Sequence, residues 1–552
     1  MIMKPIPYIL IVFFLLNSLP ALAQQEEVKV VKPYDPTLSG AEKIQLLPDL
    51  DDSVEYTKPE FEYTFFPKRY DTEFSVSPIK PARMVKTPLD KLYKSQLTLG
   101  MGNYLTPLAE LRINQLRSSN GTFGVLLRHH SMNGKVRLAN DARVDAGFNE
   151  NRLGIYGKRF LRHSVFEYEA GAEYNTLVHY GVDTAFSDTV TRTDFLHRYY
   201  HGYTSLGIES ARADSFHLQY KAHLDYHFFS HALDQMEHQV VLDGNVDQIL
   251  GDFRVGADLG GIYAGHPGTW DSVLTNHFII KANPYISKSS EEWRFMAGLN
   301  TYTEIRNGKV KPRVYLRGKF QFNIVKEVLV PYFGVDGFQE AHSYREITGK
   351  NPFVSPDLVV TPASHRIVAY GGLKGRFSDV VSWNLRGTYS VINDQYFFVT
   401  DSMATLGNKF SVVYDDMNKL NIYGGFKIMP TESLDIILKG NYYNYQMVRE
   451  DHPWYHPAFD ATLQGRYHIG EKIYLDASAY LIGPRHYPAE NPAEDPGKLN
   501  TTLDLNLSAE YRYTNLLSFW VRFNNITARP YYLWHRYPSY RFRFMAGFTY
   551  GL

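Results

Sequence analysis

The chain has 552 residues, and its 58 basic residues are balanced by 58 acidic ones, for a formal net charge of zero. Such a balance gives no basic field of the kind that holds nucleic acid, and it argues against a DNA- or RNA-binding protein. Cysteine is absent, which excludes disulfide bonds, thiolate metal sites and a lipid-modified cysteine. Aromatic residues make up 15% of the chain, an excess typical of the interfacial girdles of membrane barrels.

Residues 1–23 have the pattern of a secretory signal peptide. Lys4 supplies the positive charge, Ile9–Leu16 form an apolar core, and Ala21 and Ala23 are the small residues of a cleavage site. No later stretch approaches the roughly 18 unbroken apolar residues of a transmembrane helix. The sequence therefore predicts an exported chain without a helical anchor.

Residues 24–94 differ in composition from the rest of the chain. They are rich in proline, and the run from Asp49 to Glu55 is acidic. This run lacks the alternating ligands and the glycine of an EF-hand loop, so a solvated linker is the favoured interpretation. We predict a periplasmic N-terminal segment, largely irregular, which is also a candidate short plug.

Residues from 95 to 552 repeatedly alternate apolar and polar side chains. The clearest run extends from Phe216 to Phe228, and the same period recurs over 314–324, 503–513 and 540–552. A period of two predicts β-strands, and charges on the polar face are typical of strands between lipid and a water-filled lumen. A soluble β-sandwich or propeller is disfavoured because its strands are shorter and less aromatic. The ionisable residues predicted to line the lumen are His217, Lys221, His223, Asp225, Arg317, Lys319, Asp504, Glu510, Arg512, Arg541 and Arg543.

The connections between these strands alternate in length, as expected for a barrel with short periplasmic turns and long outer loops. Ten are short: 117–121, 161–164, 210–215, 250–252, 288–292, 326–327, 378–379, 430–433, 470–472 and 514–515. Eleven form the other set: 103–106, 132–145, 179–196, 231–236, 265–275, 306–310, 341–364, 393–410, 448–455, 484–500 and 528–539. The count predicts an all-β, antiparallel transmembrane barrel of about 22 strands, and 20 or 24 stay open because 144–160 and 411–429 are weakly patterned.

The last forty residues resemble the C-terminal end of the TonB-dependent receptors. The matching features are Val521–Thr527, the Tyr537-Pro538 pair and an aromatic closing strand, Phe542–Leu552. The segment Val28–Thr37 also resembles the start of plugless, receptor-like barrels of the Bacteroidetes. The resemblance implies a 22-stranded barrel, and Leu552 departs from it because an aromatic last residue is more usual.

Family transporters carry an N-terminal plug domain that is larger than residues 24–94. A barrel of this size without a plug would have a wide lumen, filled by the N-terminal segment, by inward-folded loops or by a partner protein, or left open. The stretch Glu27, Val28, Lys29, Val30 and Val31 resembles a TonB box, which could add to a partner as an edge strand. TonB or another envelope protein is therefore an expected partner, together with outer-membrane lipid.

Catalytic motifs are absent from the sequence: there is no GxxxxGK[ST], HExxH or GxSxG. His452 and His456 flank a proline in an outer loop, which gives no helical ligand spacing, so a metal site there is disfavoured. We predict no enzymatic activity, cofactor or metal. The aromatic residues of the outer loops are interpreted as the upper girdle rather than as a binding surface: Trp454, Tyr455, Tyr531, Tyr532, Trp534 and Tyr537.

The leading functional hypothesis is an outer-membrane barrel, resembling a TonB-dependent receptor, that takes up or passes a polar solute. The alternative is a structural or assembly subunit whose lumen or rim docks a partner protein. The predicted location, the outer membrane of a Gram-negative cell, is common to both.

Overall fold

The computed structural model describes residues 93–552 except 117, 184–194, 212–216, 232–234, 267–275, 326–327, 402–405 and 490–492. The predicted signal peptide, almost all of the N-terminal segment and the stretch Glu27–Val31 lie outside the described residues.

The described chain is almost entirely β-structure. Its elements are β1 (Ser95–Gly102), β2 (Thr106–Asn114), β3 (Gly121–Met132), β4 (Lys135–Arg137), β5 (Arg143–Asp145), β6 (Phe148–Phe160), β7 (Ser164–Val178), β8 (Leu196–Ser210), β9 (Gln219–His231), β10 (Gln235–Leu250), β11 (Phe253–Gly265), β12 (His277–Ser289), β13 (Trp293–Arg306), β14 (Lys309–Phe322), β15 (Val330–Glu340), α1 (Tyr344–Lys350), β16 (Ala363–Ser378), β17 (Val381–Thr400), β18 (Phe410–Thr431), β19 (Leu434–Met447), β20 (Phe459–Ile469), β21 (Ile473–Ile482), β22 (Arg485–Tyr487), β23 (Gly497–Leu499), β24 (Thr502–Arg512), β25 (Leu517–Asn524), β26 (Tyr532–Trp534), β27 (Tyr537–Pro538) and β28 (Arg543–Gly551).

Twenty-two of these strands form one closed antiparallel sheet. Each barrel strand pairs with the next one along the chain, and β1 closes the barrel by pairing with β28, from Gln96 opposite Gly551 to Gly102 opposite Met545. The pairs β4–β5, β22–β23 and β26–β27 are small hairpins within the outer connections. The predicted fold class and strand count are confirmed, and each weakly patterned span contributes a single strand, β6 and β18.

The outward face of the barrel is apolar. Leu206, Leu224 and Leu242 lie side by side in β8, β9 and β10, and all three side chains are exposed. Such a belt is what lipid contact requires, because in a barrel only alternate residues meet the hydrocarbon. Among the residues described, no helix is long and apolar enough to cross a membrane.

Aromatic rings cover glycines of neighbouring strands on the inner face. Trp520 in β25 covers Gly547 in β28 and Gly100 in β1, and Tyr203 covers Gly171. A Cβ atom at any of these glycines would overlap the ring that covers it. The arrangement fixes the seam where the first and last strands meet, since only glycine leaves room for the indole.

Two of the predicted strands begin later than expected. His217 lies before β9, in the connection that follows β8, and Arg541 lies before β28. The side chain of Tyr540 donates hydrogen bonds to the carbonyl oxygens of Gly134 (3.2 Å) and Ala146 (2.8 Å). These bonds hold residue 540 in an outer connection, so the alternation that starts there in the sequence does not start a strand.

Candidate functional site: the lumen and its closed outer mouth

The inner wall of the barrel carries charges of both signs, and many are paired between strands. Arg317 donates to Asp258 at 2.6 Å, and Arg466 donates to Asp476 at 2.6 Å. Lys281 pairs with Asp243. Each pair neutralises a charge within a wall that has lipid on its other side.

The predicted lumenal residues occupy two separate parts of this wall. Lys221, His223 and Asp225 lie in β9 and Arg317 and Lys319 in β14, whereas Asp504, Glu510, Arg512 and Arg543 lie in β24 and β28. Exposed apolar side chains alternate with them, for example Leu224, Leu316 and Tyr511. This alternation supports the proposed lumenal position of the strand residues, since neighbours along a strand face opposite sides.

One cavity brings three of these residues together. It has a volume of about 390 Å³ and is lined by Lys221, His223 and Arg317 with the carboxylates of Asp243 and Asp258. Lys221 lies 3.8 Å from Glu209, outside the cavity lining. The cavity thus combines both signs of charge, and its lysines and arginine already have acidic partners.

Asp504 and Arg512 have aromatic partners on the other part of the wall. Asp504 accepts a hydrogen bond from the hydroxyl of Tyr531 at 3.2 Å. The guanidinium of Arg512 lies 4.4 Å from the centre of the Tyr474 ring. These two predicted residues therefore belong to local networks and share no site with the cavity.

The end of the barrel with the long connections is closed by one hydrophobic cluster, which we call the mouth core. Its buried residues come from six connections and from strands next to the mouth: Val136, Leu138, Val144, Ala146, Val178, Tyr180, Val182, Tyr199, Phe229, Tyr344, Ile347, Phe353, Val354, Leu358, Val360, Ala363, Ile392, Tyr396, Phe397, Phe398, Phe410, Met417, Trp454, Tyr455, Leu499 and Tyr537. Burial of this much apolar surface gives the closed state a substantial hydrophobic stabilisation.

The expectation that the outer aromatic residues form a lipid-facing girdle is wrong for three of them. Trp454, Tyr455 and Tyr537 are only 5%, 7% and 3% exposed and lie in the mouth core. Their loops fold inward, where ring surface is buried against other loops rather than against lipid. The length of the connections and their aromatic content were the signals available in the sequence, but neither says which way a loop folds.

Helix α1, in the connection between β15 and β16, reaches the wall formed by β9 and β10. Glu237 of β10 accepts hydrogen bonds from the backbone amides of Tyr344 (2.6 Å) and Arg345 (3.2 Å). The side chain of Ser343 caps the helix by accepting from the amide of Glu346 at 3.2 Å. Glutamate and serine together satisfy three of the free amides of the first turn, which pins the helix in place.

Phe353 lies where several connections meet. Its ring stacks on that of Tyr537 with centroids 3.6 Å apart. Its carbonyl oxygen accepts from the amide of Phe410 at 3.0 Å. The hydroxyl of Tyr537 donates to the carbonyl of Asn408 at 2.5 Å, and that of Tyr199 to the carbonyl of Pro352 at 2.7 Å. The connection that contains Phe353, the hairpin that contains Tyr537 and the barrel strand that contains Tyr199 are thus joined around one ring.

Histidines follow the seam between α1 and the wall. His179 stacks on His197 with ring centroids 3.5 Å apart, and Nδ1 of His197 lies 2.8 Å from Nε2 of His231. The Tyr344 hydroxyl lies 3.4 Å from Nδ1 of His231. Burial lowers the pKa of the loop residue His179 well below its ordinary value. The seam is therefore built from neutral rings, which can stack where imidazolium ions would repel.

Metal ligation finds little support in this arrangement. In the part of the chain that the structure describes, no group of three or more histidine, aspartate or glutamate side chains is placed to hold a metal ion. His456 uses Nδ1 for a contact of 2.9 Å with the carbonyl of Trp454, and His452 stacks on His486.

No family sequence model and no curated protein sequence matches this chain. Its structure is similar to that of the FrpB iron transporter from Neisseria meningitidis, with a TM-score of 0.65, 9% identity, and 84% of this chain and 82% of that chain covered. It is similar to the siderophore receptor PirA from Acinetobacter baumannii (TM-score 0.63, 9% identity, 84% and 81% covered). It is also similar to the ferric-catecholate import receptor Fiu from K12 E. coli (TM-score 0.61, 10% identity, 83% and 82% covered).

At this identity the likeness shows the fold alone. The resemblance to the TonB-dependent receptors is confirmed at that level, and the narrower expectation of a plugless Bacteroidetes barrel stays a prediction. A closed barrel of 22 antiparallel strands with an apolar outer belt is the architecture of an outer-membrane protein.

Proposed function

We propose that this chain is an outer-membrane receptor barrel that takes up or passes a polar solute, and that the mouth core is its outer gate. The observation that carries the proposal is the closed mouth above a charged lumen. A polar solute cannot cross a packed apolar cluster, so passage requires that the connections move apart. The structurally similar proteins, an iron transporter and two receptors, support transport rather than catalysis.

Residues 24–94 are proposed to act at the opposite end of the lumen, as a short plug. Within them, Glu27, Val28, Lys29, Val30 and Val31 are the proposed contact for TonB or another envelope protein. An extended segment of this kind can pair with an exposed strand edge of a partner, where backbone hydrogen bonds supply the affinity. A partner that pulls on that segment would then displace the plug.

The structural or docking subunit remains the second candidate. It is favoured by the number of hydrogen bonds that fix the mouth, such as Arg485 donating to the carbonyl oxygens of Tyr532 (2.6 Å) and Leu533 (3.1 Å). A lid held in this way suits a permanent closure as well as a gate. The two candidates differ in whether the mouth opens.

Planar-bilayer conductance of the purified chain distinguishes them. Four proteins are compared: the full chain, a chain without residues 24–94, and each of these with Phe353→Ala in the mouth core. The transport proposal expects both ends to act as barriers, so that only the doubly altered protein conducts steadily. If it stays closed while a partner protein co-purifies with the full chain in fixed ratio, the docking subunit is the correct assignment.

Absence of catalysis is part of the proposal. Barrel hydrolases need a nucleophile and a base on adjacent strands near one rim. A serine-reactive probe should leave the purified barrel unlabelled. Stoichiometric labelling at one serine would reject this part of the proposal.

A further inference from the structure

One arc of the lumenal wall, formed by β16 to β19, carries cations that lie over tyrosine rings. The ammonium of Lys374 lies 5.9 Å from the centre of the Tyr332 ring, and the guanidinium of Arg386 lies 5.5 Å from that of Tyr423. Lys419 lies 4.9 Å from Tyr443 and 5.8 Å from Tyr445. At the mouth, Lys350 of α1 lies 5.0 Å from Tyr396.

Strand register places these cations at successive heights. Lys374 is opposite Asn384, Arg386 is opposite Tyr423, and Lys419 is opposite Ser390. Residues two apart along a strand are separated by about 7 Å, so the cations rise in steps from the short-turn end toward the mouth. Lys439, opposite Gly425, joins the lower rows from β19. We call Lys350, Lys374, Arg386, Lys419 and Lys439 the cation ladder.

Three cations of the ladder, Arg386, Lys419 and Lys439, differ from the ion-paired cations elsewhere on the wall. Elsewhere arginines pair with carboxylates, as Arg317 does with Asp258. Within the described residues, no carboxylate oxygen lies within 4.0 Å of the charged nitrogens of Arg386, Lys419 or Lys439. Lys439 is only 8% exposed. A cation with no carboxylate against it can take an anion as its partner.

Four cations of the ladder therefore each offer a positive charge beside an aromatic face: Lys350, Lys374, Arg386 and Lys419. Charged nitrogens bind carboxylate, phosphate or sulfonate oxygens, and the tyrosines present flat surface and hydroxyls to the remainder of a ligand. We propose that the cation ladder is a binding track for a multiply charged organic anion moving between the mouth and the short-turn end of the barrel. The inference rests on the proposed transport function and names the charge of its solute.

The cavity lined by Lys221, Asp243 and Arg317 makes a useful contrast. Its cations already have acidic partners, so an anion would have to compete with carboxylates fixed in the wall. The ladder offers an anion three cations, Arg386, Lys419 and Lys439, that have no carboxylate within 4.0 Å among the described residues. Selectivity for anions is thus expected from β16–β19 and not from β9–β14.

Binding can be measured with the detergent-solubilised full chain and a fluorescent polyanion, pyrene-1,3,6,8-tetrasulfonate, by anisotropy. Saturable binding that inorganic triphosphate displaces is expected. Arg386→Gln with Lys439→Gln should weaken it by about tenfold or more, because a lost hydrogen bond to a charged group costs on the order of 1.5–3 kcal/mol. Arg386→Lys should keep most of the affinity.

Arg466→Gln is the matched control, since it removes one lumenal positive charge whose partner is Asp476. It should change the affinity less than twofold. Heat-modifiable migration on gels checks folding, and the single Arg386→Gln change, at an exposed side chain, is used if the double variant fails that check.

Failure to bind the probe saturably, or an equal loss in Arg466→Gln, would overturn the ladder. These outcomes are separate from the conductance result. A chain that binds the probe but never conducts would reject transport and keep the anion site. A chain that conducts, but whose binding of the probe is unchanged by Arg386→Gln, would keep transport and reject the anion site.

Discussion

Glu237, on β10, accepts two hydrogen bonds from the first turn of α1, and the shorter one, from the amide of Tyr344, is 2.6 Å long. The two residues come from strands and loops that are far apart in the sequence. Their contact holds the connection between β15 and β16 in place across the mouth of the barrel. The closed mouth thus depends on hydrogen bonds between wall and lid.

Replacement of Glu237 by glutamine should loosen α1. Each of the two bonds uses a different carboxyl oxygen, and the amide has only one oxygen, so one bond is lost at a cost of about 1–3 kcal/mol. Hydrogen exchange at Tyr344 and Arg345 is expected to become at least tenfold faster, while exchange in β10 stays unchanged. Glu346→Gln, in the same helix but at a more exposed side chain, should have little effect.

Phe353→Ala should open the mouth core. Removing a buried phenylalanine ring costs on the order of 3–5 kcal/mol, and here it also removes the stack on Tyr537. Limited proteolysis should then cut within residues 341–362. Phe377→Ala is the control because that ring is 70% exposed, and equal cleavage in both variants would contradict the role given to Phe353.

Acidification should destabilise the mouth. Burial lowers the pKa of His342 to about 4, that of His456 to about 4 and that of His266 to about 4. The folded pKa values lie below the ordinary 6.5, so the unfolded connections bind more protons, and stability is full above pH 6.5 and falls as pH drops toward 4. Hydrogen exchange of residues 341–362 at pH 7.5 and pH 5 measures this.

His342→Gln isolates one contribution to that pH dependence. The imidazole faces Glu340 at 3.9 Å, with Lys350 and His365 as the other charged or titratable neighbours. Hydrogen exchange of residues 341–362 should depend less steeply on pH in the variant than in the parent. A parent protein whose exchange does not change between pH 7.5 and pH 5, after correction for the intrinsic rate, would contradict the prediction.

Gly547→Ala should weaken the barrel where its ends meet. A methyl group there would overlap the carbonyl oxygen of Leu99 and the Trp520 ring, and both are held by the sheet. Heat-modifiable migration should be lost at a lower temperature than in the parent. Gly465→Ala is the matched control because nothing lies within 4 Å of its added carbon, and an equal shift in both would reject the packing argument.

Sequence alone was sufficient for the strands and their order. Alternation such as that from Leu503 to Tyr513 shows both the strand and its two faces, because lipid and water each select one side. The alternating lengths of the connections determined the strand count, since every barrel strand pairs with its sequence neighbours and only the first and last strands pair across the closure. These are local patterns, and local patterns can be read along a chain.

The sequence alone did not locate the first residue of every strand. Tyr540 continues the pattern of β28 in the sequence, yet its hydroxyl bonds to Gly134 and Ala146, two carbonyls from the other end of the chain. A strand boundary that depends on such a contact has no local signature. The same holds for Arg541, which follows it.

The mouth core and the cation ladder were decided by tertiary structure alone. Phe353, Phe410 and Tyr537 have no periodicity that joins them, and their loops differ in length and composition. Whether an aromatic loop residue faces lipid or its neighbours depends on how loops from across the barrel pack together. Likewise, Arg386 and Arg317 look alike in the sequence and both lie near a tyrosine ring, and only the folded barrel shows that Arg317 also has the carboxylate of Asp258 beside it. The sequence determined the strands because the environment of their side chains repeats every two residues. The mouth core and the cation ladder form only when strands and loops that are distant in the sequence come together in the closed barrel.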